Sequence, residues 1–129
     1  LCRRNLPLPL RNANNWRSLV SLDALVQLII LCIERPEAEN QVFVAADENP
    51  VSTSDIIRSL RRGMGRGPGL LPVPAGLLRG ALAIMGRSSV YQQLFGDLEV
   101  DSSKAVSLLG WKRETDTLGK LQLIGEEAK

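Results

Sequence analysis

The stretch LDALVQLIILCIE, between Ser21 and Pro36, constrains this chain more than any other. Leu22, Leu25, Val26, Ile29 and Ile33 recur at helical spacing, while Leu28, Ile30, Leu31 and Cys32 fill the remaining arc. A helix apolar on nearly every side must be covered on more than one face. It does not cross a bilayer, because no run in the chain reaches the ~18 apolar residues that spanning needs. It belongs inside a packed domain, and the rest of the chain has to supply the cover.

That rest reads as alternating short elements. NLPLPL (5–10) suits an extended edge segment, since Pro7 and Pro9 lack ladder donors, and 11–15 is a polar turn. Residues 16–21 read as a short strand, with Ser21 or Leu22 opening the apolar helix and Pro36 closing it. QVFVAAD (41–47) reads as a buried strand. Ser52 or Thr53 caps the next helix, Asp55 favours its positive end, and Ile56, Ile57, Leu60 and Met64 form its apolar face. A loop leads to a short strand at 70–73. Pro74 and Ala75 then start a helix with Leu77, Leu78, Leu82 and Met85 inward, ended by Gly86. Residues 88–95 make one or two helical turns. An extended piece at 98–100 meets an Asp101 cap, a helix over 102–109 and Gly110 as its left-handed stop. The helix at 115–127 carries Leu118, Leu121 and Ile124 on its face. About five helices and three or four short strands in mixed order give a mixed α/β, or α+β, domain with a small sheet.

Composition narrows the chemistry. The 129 residues make one domain or part of a larger protein, and 44% hydrophobic with 23% charged content supports a core. A net charge of +2 does not by itself point to nucleic acid. The chain has no histidine, which removes the commonest general base and metal ligand. Cys2 and Cys32 lack metal-ligand spacing, and Cys32, inside the apolar helix, reads as a buried free thiol in a reducing compartment. Arg3 and Arg4 lead into a segment broken by prolines, unlike a secretory signal, so a cytoplasmic location is expected. The single tyrosine, Tyr91, has Phe95 four residues on, where a tyrosine–lysine pair needs lysine. The first residue is Leu1, and the sequence reads as a fragment.

Each motif has a plain structural alternative. RRGMGRGPG lacks the spacing of a dinucleotide fingerprint and follows a helix instead of preceding one, so it reads as a helix-terminating loop. Arg58, Arg61, Arg62 and Arg66 form a basic cluster that reads as a solvated helix face, with contact to an anionic partner as the alternative. Asp47–Glu48 and Glu126–Glu127 read as turn and end carboxylates, and Trp16 and Trp111 as core or partial-core residues. Arg17 sits on a short strand ahead of the buried helix, a rigid place for a guanidinium. Its fork suits phosphate oxygens, and a salt bridge to Asp23 is the competing role.

Three stretches carry a resemblance. WRSLVSLDALVQLIILCIE, NQVFVAADENPVSTSDIIRSL and LEVDSSKAVSLLGWKRETDTLGKL, in this order, resemble the C-terminal part of extended short-chain dehydrogenases/reductases. Within these they look like the NAD-dependent sugar-nucleotide epimerase/dehydratase group, in its UDP-glucose 4-epimerase-like branch. LPLPL ahead of WRSLVSLDAL is most similar to enzymes of bacterial surface-polysaccharide sugar synthesis. The resemblance implies a substrate-binding domain whose parent also has a Rossmann domain, holding NAD or NADP and a tyrosine–lysine pair, neither of which is here. It implies that Arg17 contacts the diphosphate of a UDP-sugar and that Leu8 and Pro9 lie beside the base, with no catalytic, cofactor or metal residue in this chain. Asp23 matches a structural position. Arg11 stands where relatives often carry glycine, and Gln92 and Gln93 where many carry a second phosphate-binding arginine. Expected partners are the UDP-sugar and the missing Rossmann domain, not nucleic acid or membrane, with self-association through exposed apolar surface. A stand-alone binding or scaffold domain using the basic helix face is the competing function.

Overall fold

A computed structural model describes residues 7–11, 13–84, 86 and 95–128, with Ala75 and Leu82 as backbone only. Expectations for Cys2, Leu82, Met85, Tyr91, Gln92, Gln93 and most of the turn at 88–95 lie outside the described residues or side chains. Among the described residues five α-helices form: α1 (Leu22–Glu34), α2 (Thr53–Gly63), α3 (Ala75–Ile84), α4 (Ser103–Leu109) and α5 (Thr117–Glu127). Their ends follow local chemistry. The Ser21 hydroxyl accepts from the Ala24 amide at 3.4 Å, and the Ser52 hydroxyl from the Asp55 amide at 3.1 Å. Pro36 opens a short 3-10 turn directly after α1, and Gly110 stops α4 at φ 66°.

The expected small sheet is corrected. The described residues hold no strand, and the extended segments meet only at isolated bridges, including a parallel one between Leu8 and Leu70 and an antiparallel one between Arg17 and Val51. Prolines explain this: Pro7, Pro9 and Pro72 flank the first pair and Pro50 the second, so neighbouring residues lack ladder donors. The result is a mostly helical protein.

The chain divides into two units, each with its own core. One comprises Ser18–Pro50 and Leu98–Thr117. Its core is Ala24 and Leu28 of α1, Ala105 and Leu109 of α4, and Trp111. Trp111 is 2% exposed and donates from Nε1 to the Ala24 carbonyl at 2.8 Å, satisfying its one polar atom. This fixes which face of α1 turns inward. Ala24, Leu28, Leu31 and Cys32 pack, whereas Leu22, Val26, Ile29, Ile30 and Ile33 are exposed, Ile33 at 79%. Of the helical stripe read from the sequence, Leu22, Val26, Ile29 and Ile33 therefore face outward and Leu25 is half-buried, while Cys32, expected to be buried, is a half-buried free thiol. Exposure alternates only over 42–45, where Phe43 and Ala45 pack on the core and Val42 and Val44 are exposed; Ala46 and Asp47 after them are both buried.

The other unit comprises described residues within Leu1–Arg17, Val51–Asp97 and Leu118–Lys129. Its core is Leu8, Leu10, Ala13 and Ile57, with Leu70, Leu78 and Phe95 packed against it. Leu77, expected inward, is exposed. On α5 the expected face is also displaced: Leu118 and Ile124 are exposed, and Gly125 is buried against Leu60 and Gly63 of α2. Trp16 is corrected too, at 52% exposed.

Arg61 overturns the reading of a solvated basic face. It is 1% exposed, and its Nη1 donates to the Pro68 carbonyl at 2.8 Å. The glycine-rich loop folds over it: Gly65 and Gly69 take positive φ, and a Cβ on Gly69 would strike the guanidinium. Arg58 pairs with Asp55 at 2.5 Å, leaving Arg62 and Arg66 as the exposed members of the cluster.

Candidate functional site

Arg17 is fixed through its backbone, which exchanges two hydrogen bonds of 2.9 Å with Val51. Its side chain is half-buried, and Nη2 donates to the Gly96 carbonyl at 3.4 Å. Asn15 donates from Nδ2 to the same carbonyl at 3.1 Å, and its Oδ1 accepts from the Thr53 amide at the start of α2 at 3.2 Å. The Trp16 amide donates to Asp97 Oδ1 at 2.7 Å. Three consecutive residues are thus tied to 96–97 and, through Asn15, to a helix end. Of the other expected site residues, Leu8 has its side chain in the core, and Pro9 beside it is half-buried.

Side chains of extended residues alternate. Trp16, next to Arg17, lines a cavity of about 420 Å³ together with Arg11, Asn14, Asn15, Arg58 and the first turn of α2. Here Ser52 Oγ donates to Asp55 Oδ2 at 2.6 Å. A hydroxyl has one hydrogen, so in the 2.8 Å contact between Ser54 and Ser52 it is Ser54 that donates. Two guanidinium groups, one carboxylate and an exposed indole can hold a polar ligand.

The unit of Ser18–Pro50 and Leu98–Thr117 has a cavity of about 440 Å³ lined by Asp47, Glu48, Glu99, Asp101 and Arg113, among others. Asp47 is committed to structure: Oδ1 accepts from the Ser21 amide and Oδ2 from the Thr117 hydroxyl, both at 2.9 Å. Asp101 accepts from the Ser103 amide and hydroxyl, both at 2.8 Å. These bonds, the amide foremost, and the charge of Arg113 hold its carboxyl below the usual carboxylate range. Among the described residues no cluster has the make-up of a metal site.

Asn15 escaped sequence reasoning, and Asp47, read as a turn carboxylate, proves to tie Ser21 to Thr117. Asn15 stood in a run of polar turn residues, and its partners lie 38 and 81 positions away, so no local signal marks it. The glycine-rich loop does not have the order of a dinucleotide site: it follows the carboxyl end of α2 instead of preceding a helix, and the Arg61 guanidinium lies against Gly69.

Over 113 residues the chain is 39% identical to a UDP-glucose 4-epimerase of Vibrio cholerae. The chain matches part of an epimerase. The similarity covers 87% of this chain and 34% of that relative, so the chain spans about a third of its length. No known family model matches, and no solved structure does. No described helix is long and apolar enough to cross a membrane.

Proposed function

We propose that this chain is the substrate-binding portion of an NAD(P)-dependent epimerase, dehydratase or reductase acting on a UDP-sugar in surface-polysaccharide synthesis. The similarity to a UDP-glucose 4-epimerase over most of the chain carries this reading. Arg17 contacts the diphosphate as a fixed cation, with the Leu8–Pro9 segment beside the base. The glycine-rich loop gives no support for a nicotinamide site here, so the dinucleotide and the acid–base groups belong to the rest of the enzyme. That remainder also covers the outward apolar face of α1 (Leu22, Val26, Ile29 and Ile33). The competing scaffold reading loses ground because Arg61 is buried and Arg58 is paired within its own helix.

Steady-state kinetics of an enzyme carrying this chain test the assignment. Arg17→Ala is expected to raise KM for the UDP-sugar about tenfold or more, the worth of a charged hydrogen bond. An unchanged KM would remove Arg17 from the diphosphate.

A further inference from the structure

We infer that Asn15 is a positioning residue for Arg17, an inference that rests on the diphosphate role proposed above. Asn15 is 3% exposed, and a primary amide that deeply buried must be satisfied from inside. Its two ends are used differently. Oδ1 accepts from Thr53 N, which lies on the first turn of α2, so it acts as a long-range cap. Nδ2 donates to the Gly96 carbonyl, the same oxygen that receives Arg17 Nη2. A carbonyl has two lone pairs, and here Asn15 takes one at 3.1 Å and Arg17 reaches the other at 3.4 Å. The shorter bond holds the 96–97 turn in place, and the longer one lets that turn orient the guanidinium. The Trp16 amide bond to Asp97 closes the same turn from between them. Asn15 therefore sets the direction of the Arg17 fork, and the proposed diphosphate contact is made by Arg17.

Asn15→Asp separates the two ends. The carboxylate keeps an acceptor for Thr53 at a helix start, where negative charge is favourable, but it removes the donor to Gly96. In an enzyme carrying this chain, the expected result is a melting temperature within a few degrees of the parent. KM for the UDP-sugar rises about fivefold, the worth of one hydrogen bond, with kcat within about twofold. The effect disappears on an Arg17→Ala background, because there is no fork left to orient. Persistence of the KM rise on that background would overturn the inference, since Asn15 would then act on the ligand independently of Arg17. Unchanged KM in Asn15→Asp, with Arg17→Ala still impaired, would overturn it and leave the diphosphate role standing. Unchanged KM in Arg17→Ala removes both. If Asn15→Asp does not fold, Asn15→Gln displaces both groups on a longer arm and is read through the same cycle.

Discussion

Gly63 of α2 and Gly125 of α5 meet backbone to backbone, and a methyl on either would fall on the other helix. At Gly63 it would overlap the Gln122 carbonyl; at Gly125 it would overlap the Leu60 carbonyl and lie 3.1 Å from the Gly63 Cα. Both obstacles are backbone, which cannot swing aside.

Gly125→Ala is therefore expected to destabilise the protein. Alanine gains about 1 kcal/mol of helix propensity, but forcing the helices apart costs about 1–3 kcal/mol and loosens their packing. Urea denaturation of Gly125→Ala and Gly63→Ala should show lowered midpoints. A midpoint at or above the parent value would mean that the helices do not touch here.

Trp111→Phe keeps a ring in the core but deletes the donor to the Ala24 carbonyl. That carbonyl is then left buried with one partner fewer, at a cost on the order of 1–3 kcal/mol. Trp111→Ala should cost about 3–5 kcal/mol. Far-UV circular dichroism against denaturant reads both, and Trp16 remains as a fluorescent reporter.

The lowered pKa of Asp101 ties stability to pH. A carboxyl depressed in the folded state contributes stability above its unfolded pKa of about 3.9, and loses it as pH falls through the lower folded value. Asp101→Asn should thus be less stable than the parent at pH 7. The gap should close as both are acidified below the ordinary carboxylate range. A gap independent of pH would assign the effect to shape instead of charge.

The outward stripe on α1 should make this chain self-associate. Ile29→Lys with Ile33→Lys alters exposed positions, so folding stability should move by only about 0.5 kcal/mol per site. Sedimentation velocity at high concentration should show the parent heavier than the double variant. Identical monomeric profiles would show the stripe to be inert.

Helix ends were legible because they are local: Ser21, Ser52 and Gly110 act on residues within one turn. The buried face of α1 was not, because both of its stripes are apolar. The choice was made by Trp111, which bonds Ala24 from 87 positions away. Strand periodicity in LPLPL and LLPVP was real, but proline limits each pairing to a single bridge. Arg61 read as surface because charge is usually solvated; its partner is a carbonyl in a loop whose glycines allow it to close. At the candidate site, resemblance singled out Arg17, whereas the groups that hold its surroundings, Asn15 and Asp97, become visible only in three dimensions.

The backbone passes between the two units at 17/18, 50/51, 97/98 and 117/118. No single proteolytic cut can release either one, because a nick at any junction leaves other covalent tethers in place. Trimming at the last junction would strip Gly125 from its partner without freeing a domain. Expression boundaries at 50/51 or 97/98 would therefore divide both units at once, and those at 17/18 or 117/118 would take a segment from one of them.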